Sequence, residues 1–286
     1  MNGKATAVDP DPGGRFMVLT ASMLVIGDEI LGGFVTDTNS PWLADRLRPL
    51  GVALERVHVV PDEEDAIAQA LHAELARPRP RVIITSGGIG STPDDITYEA
   101  VAAALGRVLV EDATLAAAMR GIVERTRSRG FATSDAFIDH VMRMARIPAG
   151  SRLMAREGGW TPAVCVDVDG GSDAADGHGA TVVVLPGVPS EFRALLGDAV
   201  EPALLAGRNP VAHVVELTHT FSESLLNETF VAMQARHPQV KLGSYPGRPM
   251  IVRLTGPLDE VEAAAALVRT ALDELAAVGA GPDTTS

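Results

Sequence analysis

Residues 85–97 read Thr-Ser-Gly-Gly-Ile-Gly-Ser-Thr-Pro-Asp-Asp-Ile-Thr, and no other stretch narrows fold and chemistry as far. The apolar run Arg81–Thr85 before it has the character of a short strand. Thr97–Leu105 after it has helical character and is stopped by Gly106. What lies between is a strand-to-helix loop. Three glycines in four positions let the backbone come close to a ligand. Consecutive N–H groups there can form an anion nest, and the helix beginning near Thr97 adds its positive end. Together these favour a phosphate or pyrophosphate, with Gly87, Gly88, Gly90, Ser91, Thr92 and Thr97 as candidate contacts. The loop is neither a P-loop nor the dinucleotide GxGxxG, because the Lys-Ser/Thr pair and the glycine spacing are missing. Asp94 and Asp95 would repel a phosphate unless a cation lay between them. They are therefore candidate ligands for Mg²⁺ or a similar divalent ion, such as Mn²⁺ or Co²⁺. The plain alternative is that Asp95 caps a helix and Asp94 is solvated.

The rest of the chain sets this loop in an α/β context. Strand-like runs at Thr20–Ile26, Val52–Val60, Arg81–Thr85, Val108–Val110, Leu153–Arg156, Ala163–Val168 and Val182–Leu185 alternate with helical ones at 63–76, 97–105, 112–129, 135–146 and 190–205. A further helix opens at Ser40-Pro41, with Ser as N-cap and Pro at the first helical position. The alternation predicts a three-layer α/β/α fold around a mostly parallel sheet, with ligands at the carboxyl ends of its strands. After Asn209-Pro210 a β-α-β-β-α run begins and predicts a small α+β domain. The expected organisation is a disordered tail over 1–15, the α/β domain over 16–208, the small domain over 209–278 and a tail over 279–286.

Three more loops fall at strand ends. Gly27-Asp28-Glu29 follows the first strand. Gly27 permits close approach, and Asp28 or Glu29 can meet ribose hydroxyls or a metal. Downstream, Thr36–Asn39 adds polar groups, Asn39 among them. A simple turn is the other reading. Asp62 ends the second strand and can face the Asp94/Asp95 loop, although pattern alone favours an N-cap. Leu185-Pro186-Gly187-Val188-Pro189-Ser190-Glu191 is a rigid strand-to-helix turn. It reads either as a connection or, beside the other loops, as a binding wall that includes Pro186, Gly187, Pro189 and Glu191.

Composition removes several classes. The formal net charge of −13 argues against duplex DNA as a partner. Cys165 is the single cysteine, so neither a disulfide framework nor a Cys-rich zinc site forms within one chain; it reads as a core strand residue in a reducing cytoplasm. Phe16–Ile26 is too short to span a bilayer and lacks a signal cleavage site. His58 reads as a packed histidine. The acidic, Gly-rich 169–179 stretch does not match an EF-hand and reads as a mobile hairpin loop.

Taken in order, GDEIL (27–31), TDTN (36–39), VVPDE (59–63), GGIGSTPDDIT (87–97) and LPGVPSE (185–191) resemble the molybdopterin-binding (MoaB/Mog-like) domain family. The likeness is nearest to the amino-terminal domains of the competence/damage-inducible protein A (CinA) family and of FAD synthase. KLGSYP (241–246) resembles the small second domain of the CinA family, so the resemblance covers roughly 20–278. It implies a nucleotide or pterin ligand, catalytic roles for residues matching Asp62 and Asp95, and a homo-oligomer, dimer or trimer. For the CinA and FAD-synthase branches it implies metal-dependent hydrolysis of dinucleotide pyrophosphates such as ADP-ribose or FAD. For the molybdenum-cofactor branch it implies molybdopterin binding or adenylylation, and a non-enzymatic nucleotide sensor is a third expectation. Two departures stand out. Ser91 replaces the usual Pro, and a GTAPG-like stretch appears as Gly159-Trp160-Thr161-Pro162-Ala163, so ligand contacts are not carried over to it. The amidohydrolase domain of longer CinA proteins finds no room here, and nicotinamide-nucleotide deamidation is not expected.

Overall fold

The structure, a computed structural model, describes residues 18–157, 159, 161–169 and 179–278. The expected tails and the 169–179 loop lie wholly or largely outside the described residues. The chain divides into two compact units, each considered by itself: residues to Leu47 with Val52–Asn209, and Arg48–Gly51 with Pro210 onward.

The first unit runs β1 (Thr20–Ile26), α1 (Asp28–Leu31), α2 (Asn39–Leu47), β2 (Ala53–Val60), α3 (Glu64–Leu75), β3 (Arg81–Ser86) and α4 (Thr97–Ala104). It continues with β4 (Leu109–Glu111), α5 (Ala113–Ser128), α6 (Asp135–Arg143), β5 (Arg146–Pro148), β6 (Arg152–Met154), β7 (Ala163–Val168), β8 (Ala180–Leu185) and α7 (Pro189–Leu195), which extends as a π-type helix over Leu196–Leu205. The main sheet has the order β2-β1-β3-β8-β7-β6. β2, β1, β3 and β8 are mutually parallel, whereas β7 runs antiparallel to β8 and β6 antiparallel to β7.

Burial explains the strand sequences. β3 and β8 are buried along their whole length, and β1 nearly so, as continuous apolar runs covered on both faces must be. β2 lies at the edge and exposes Glu55, Arg56 and Val57. One face is packed by Leu71, Val101, Leu115, Met119 and Val123 against Leu24, Ile83, Val182 and Val184. On α2 and α7, Trp42 meets Phe192 edge-on at 6.2 Å between ring centroids. Cys165 is fully buried in β7.

Several local expectations are corrected. Ser40 does not cap α2; the Asp37 carboxylate accepts the Asn39 and Ser40 N–H groups at 2.9 and 3.1 Å instead. Asp62 does not cap α3, whose N-cap is Glu63 without a side-chain bond. The helix expected to Arg146 stops at Arg143, and Arg146–Pro148 pairs with β4. His58 is not simply packed: its Nε2 meets the Glu74 carboxylate at 2.8 Å.

Under the amino-terminal half of the sheet lies a buried charged network. Glu74 is wholly buried and bonded to the Ser22 hydroxyl. Arg81, 1% exposed, donates to Ser22 Oγ at 2.5 Å and Glu74 at 3.1 Å, and pairs with Glu55.

The second unit contains β9 (His213–His219), α8 (Glu223–Arg236), β10 (Lys241–Tyr245), β11 (Met250–Gly256) and α9 (Leu258–Ala277). Its antiparallel sheet has the order β10-β11-β9. Leu226, Phe230, Met233, Val252, Leu254, Val261 and Val268 form its own core.

Candidate functional site

The loop after β3 is fixed by glycine geometry. Gly87 has φ 108°, and a Cβ there would lie 2.2 Å from the Ile26 carbonyl oxygen. Gly88 has φ 65°, and its Cβ would lie 2.3 Å from Thr97 Oγ1. A side chain is excluded at both, by backbone strain and by contact. Thr97 braces the loop from beneath: its hydroxyl donates to Gly87 O and its N–H to Gly88 O, both at 2.9 Å. The Gly87 N–H continues the ladder to Leu185 O at 3.2 Å, so it is not part of an anion cradle. The N–H groups of Gly88, Ile89 and Gly90 have no partner among the described residues.

Asp95 is not a helix cap. Its Oδ2 accepts from Thr92 N at 2.8 Å and Thr92 Oγ1 at 2.6 Å, and lies against Gly90. α4 begins without a side-chain cap. Arg143 on α6 holds the segment by donating to Asp95 O at 2.9 Å and Glu99 at 2.6 Å. Asp62 Oδ2 accepts the Asp28 N–H at 2.9 Å, tying the loops after β1 and β2 together. Burial, reinforced by the charges of Asp28, Glu29 and Asp94, pushes the Asp62 carboxyl above the usual aspartate range, against the pull of the Asp28 N–H.

These loops surround a cleft of about 490 Å³ lined by Ile26, Glu29, Asp62, Gly87–Gly90, Asp94, Asp95, Met144, Thr161, Pro186–Val188 and Glu191. Five of the described lining residues are carboxylates, and none is Lys, Arg or His. Gly27, Asp28, Asn39, Ser91, Thr92, Thr97 and Pro189 are not in the lining. Asn39 instead bridges two walls, donating from Nδ2 to Ser86 Oγ at 3.0 Å and Gly187 O at 2.9 Å. Pro189 opens α7. Met144 and Thr161 went unrecognised in the sequence. Thr161 reaches the cleft because β7 is antiparallel: Val164 pairs with Val184, so the start of β7 lies beside the end of β8.

Among the described residues, no three His, Cys, Asp or Glu side chains converge to hold an ion by themselves. This donor set does not fit a metal needing a full protein cage. It fits Mg²⁺, which takes one or two carboxylates together with substrate phosphates and retains waters.

The family described as "Probable molybdopterin binding domain" matches residues 22–206. A protein of Pyrobaculum calidifontis is 34% identical over 79% of this chain and 80% of its own length. A "CinA-like protein" of Myxococcus xanthus is 36% identical over 79% of this chain and 51% of its own, so the chain spans about half of that relative. A crystal structure of "the protein CinA with unknown function" from Thermoplasma acidophilum superimposes with a TM-score of 0.50 at 30% identity, covering 62% of this chain and 94% of that one. No helix among the described residues is long and apolar enough to cross a membrane.

Proposed function

The chain belongs to the molybdopterin-binding domain family, with relatives named CinA-like, and from that premise we propose that it hydrolyses the pyrophosphate bond of dinucleotides such as ADP-ribose or FAD with a divalent cation. The observation that carries this is a cleft with five carboxylates, no basic lining residue among those described, and a glycine loop with open N–H groups. A pyrophosphate enters such a cleft only with compensating positive charge. A bound Mg²⁺, Mn²⁺ or Co²⁺ would supply that charge and acidify a water.

In this reading Asp94 and Asp95 hold the cation, with Thr92 fixing the Asp95 carboxylate. The Gly88–Gly90 N–H groups take phosphate oxygens. Asp62 keeps Oδ2 on the Asp28 N–H and receives the proton of the attacking water at Oδ1. Water adds to phosphorus, the bridging P–O bond breaks, and ADP-ribose yields AMP and ribose 5-phosphate. Glu29 and Glu191 meet ligand hydroxyls.

The test is turnover of ADP-ribose and FAD by purified protein with each cation. Asp95→Asn is expected to lower kcat/KM by about 10²-fold or more; unchanged turnover removes Asp95 from the role. The family description favours a second reading, molybdopterin binding or adenylylation, which copurified pterin or ATP-dependent adenylylation would support. Tight binding without turnover under any cation would leave a nucleotide sensor. The reading includes a dimer or trimer, checked by light scattering.

A further inference from the structure

Thr161 is 8% exposed, and its hydroxyl oxygen is buried with no hydrogen-bond partner among the described residues. A buried hydroxyl without a partner calls for an explanation. Thr161 also lines the cleft. With Val164 opposite Val184, the chain before β7 lies toward the carboxyl end of β8, and Pro186 and Gly187 line the same cleft as Thr161. Ile89 and Met144 are apolar residues of the same lining. Thr161 therefore offers the cleft an unpartnered hydroxyl, with apolar side chains as well as carboxylates in the same lining.

We propose that the Thr161 hydroxyl reads the hydrogen-bonding edge of a planar heterocycle held against Ile89 and Met144, which makes Thr161 a specificity residue. The inference rests on the functional reading above. A phosphate belongs with the Gly88–Gly90 N–H groups, and sugar hydroxyls belong with carboxylates that accept from them. What remains suited to two apolar side chains and one hydroxyl is a flat ring. A hydroxyl both donates and accepts, so it can meet a ring nitrogen, an amino group or a carbonyl.

The test uses the full chain with Mg²⁺ and calorimetric binding of two probes, ADP-ribose with a methylene bridge in place of the pyrophosphate oxygen (bound but not cleaved) and inorganic pyrophosphate, to wild type, Thr161→Val and Thr161→Ser. Thr161→Val keeps the shape and removes the hydroxyl. It is expected to weaken the methylene-bridged ADP-ribose about tenfold, the size of one neutral hydrogen bond, with pyrophosphate affinity and melting temperature retained. Thr161→Ser is expected to restore most of the loss. The inference is overturned if Thr161→Val binds the methylene-bridged ADP-ribose like wild type, or if both probes weaken together with a fall in melting temperature, which marks a structural role. Wild type that binds neither probe overturns the functional reading as well.

Discussion

At the amino-terminal half of the main sheet, Glu74 and Glu55 are met by Arg81 and Arg77. At the carboxyl end, Glu29, Asp62, Asp94, Asp95 and Glu191 share a cleft with no basic lining residue among those described. The protonation behaviour diverges accordingly. Burial opposes the Glu74 carboxylate, but the Ser22 hydroxyl, His58 and the Arg81 charge outweigh it, and its carboxyl falls below the usual glutamate range. Asp62 moves the other way. The first cluster is complete within the chain and serves stability. The second is short of positive charge, a deficit that the proposed cation-bound ligand would fill.

The largest effect is expected from breaking the complete cluster. Arg81→Met removes the buried cation paired with Glu74 and should cost about 3–5 kcal/mol in urea unfolding. A variant as stable as wild type would end the contrast. The pH dependence has a definite sign: because its folded pKa is depressed, Glu74 contributes stability above the ordinary glutamate range and loses it as pH falls through the folded value.

At the other end, stability should depend on what is added. Mg²⁺ with the methylene-bridged ADP-ribose at a hundred times Kd should stabilise the protein by about 2.7 kcal/mol, read as a rise in melting temperature that Asp95→Asn removes. Equal rises in wild type and variant would mean that the ligand sits elsewhere.

The smallest effect sharpens the contrast most. Asp62 has a raised folded pKa, so its stability contribution is intact below the unfolded value and is lost as pH rises through the folded one. Asp62→Asn should therefore raise the melting temperature slightly at neutral pH while turnover falls. The gain should fade as pH approaches 4, near the ordinary aspartate value.

The central strands were legible because burial on both faces writes continuous apolar runs, as in Thr20–Ile26 and Ala163–Val168. The Gly87–Asp95 loop was legible because glycine is required there. The capping roles of Ser40 and Asp62 were misread, since a short polar residue before a helix bonds whichever N–H tertiary packing brings near. Strand direction leaves little local trace. Nothing in Ala163–Val168 says that β7 runs against β8, so the arrival of Thr161 at the cleft left its trace only in the GTAPG-like stretch, to which ligand contacts were not carried over. The paired partners of Glu74 were hidden likewise, because they come from β1, β2 and β3.

That reversal also shapes how such a cleft can diverge. The glycine-bearing walls of the cleft are turns leaving parallel strands, and two of them meet backbone to backbone, since a Cβ on Gly187 would lie only 3.2 Å from Gly87 Cα. Neither can be rewritten alone. The Thr161 segment arrives from the opposite direction, between β6 at the sheet margin and β7. It can be exchanged while those turns stay in place, so on the proposed function one scaffold would retain its chemistry as it changes the molecules on which it acts.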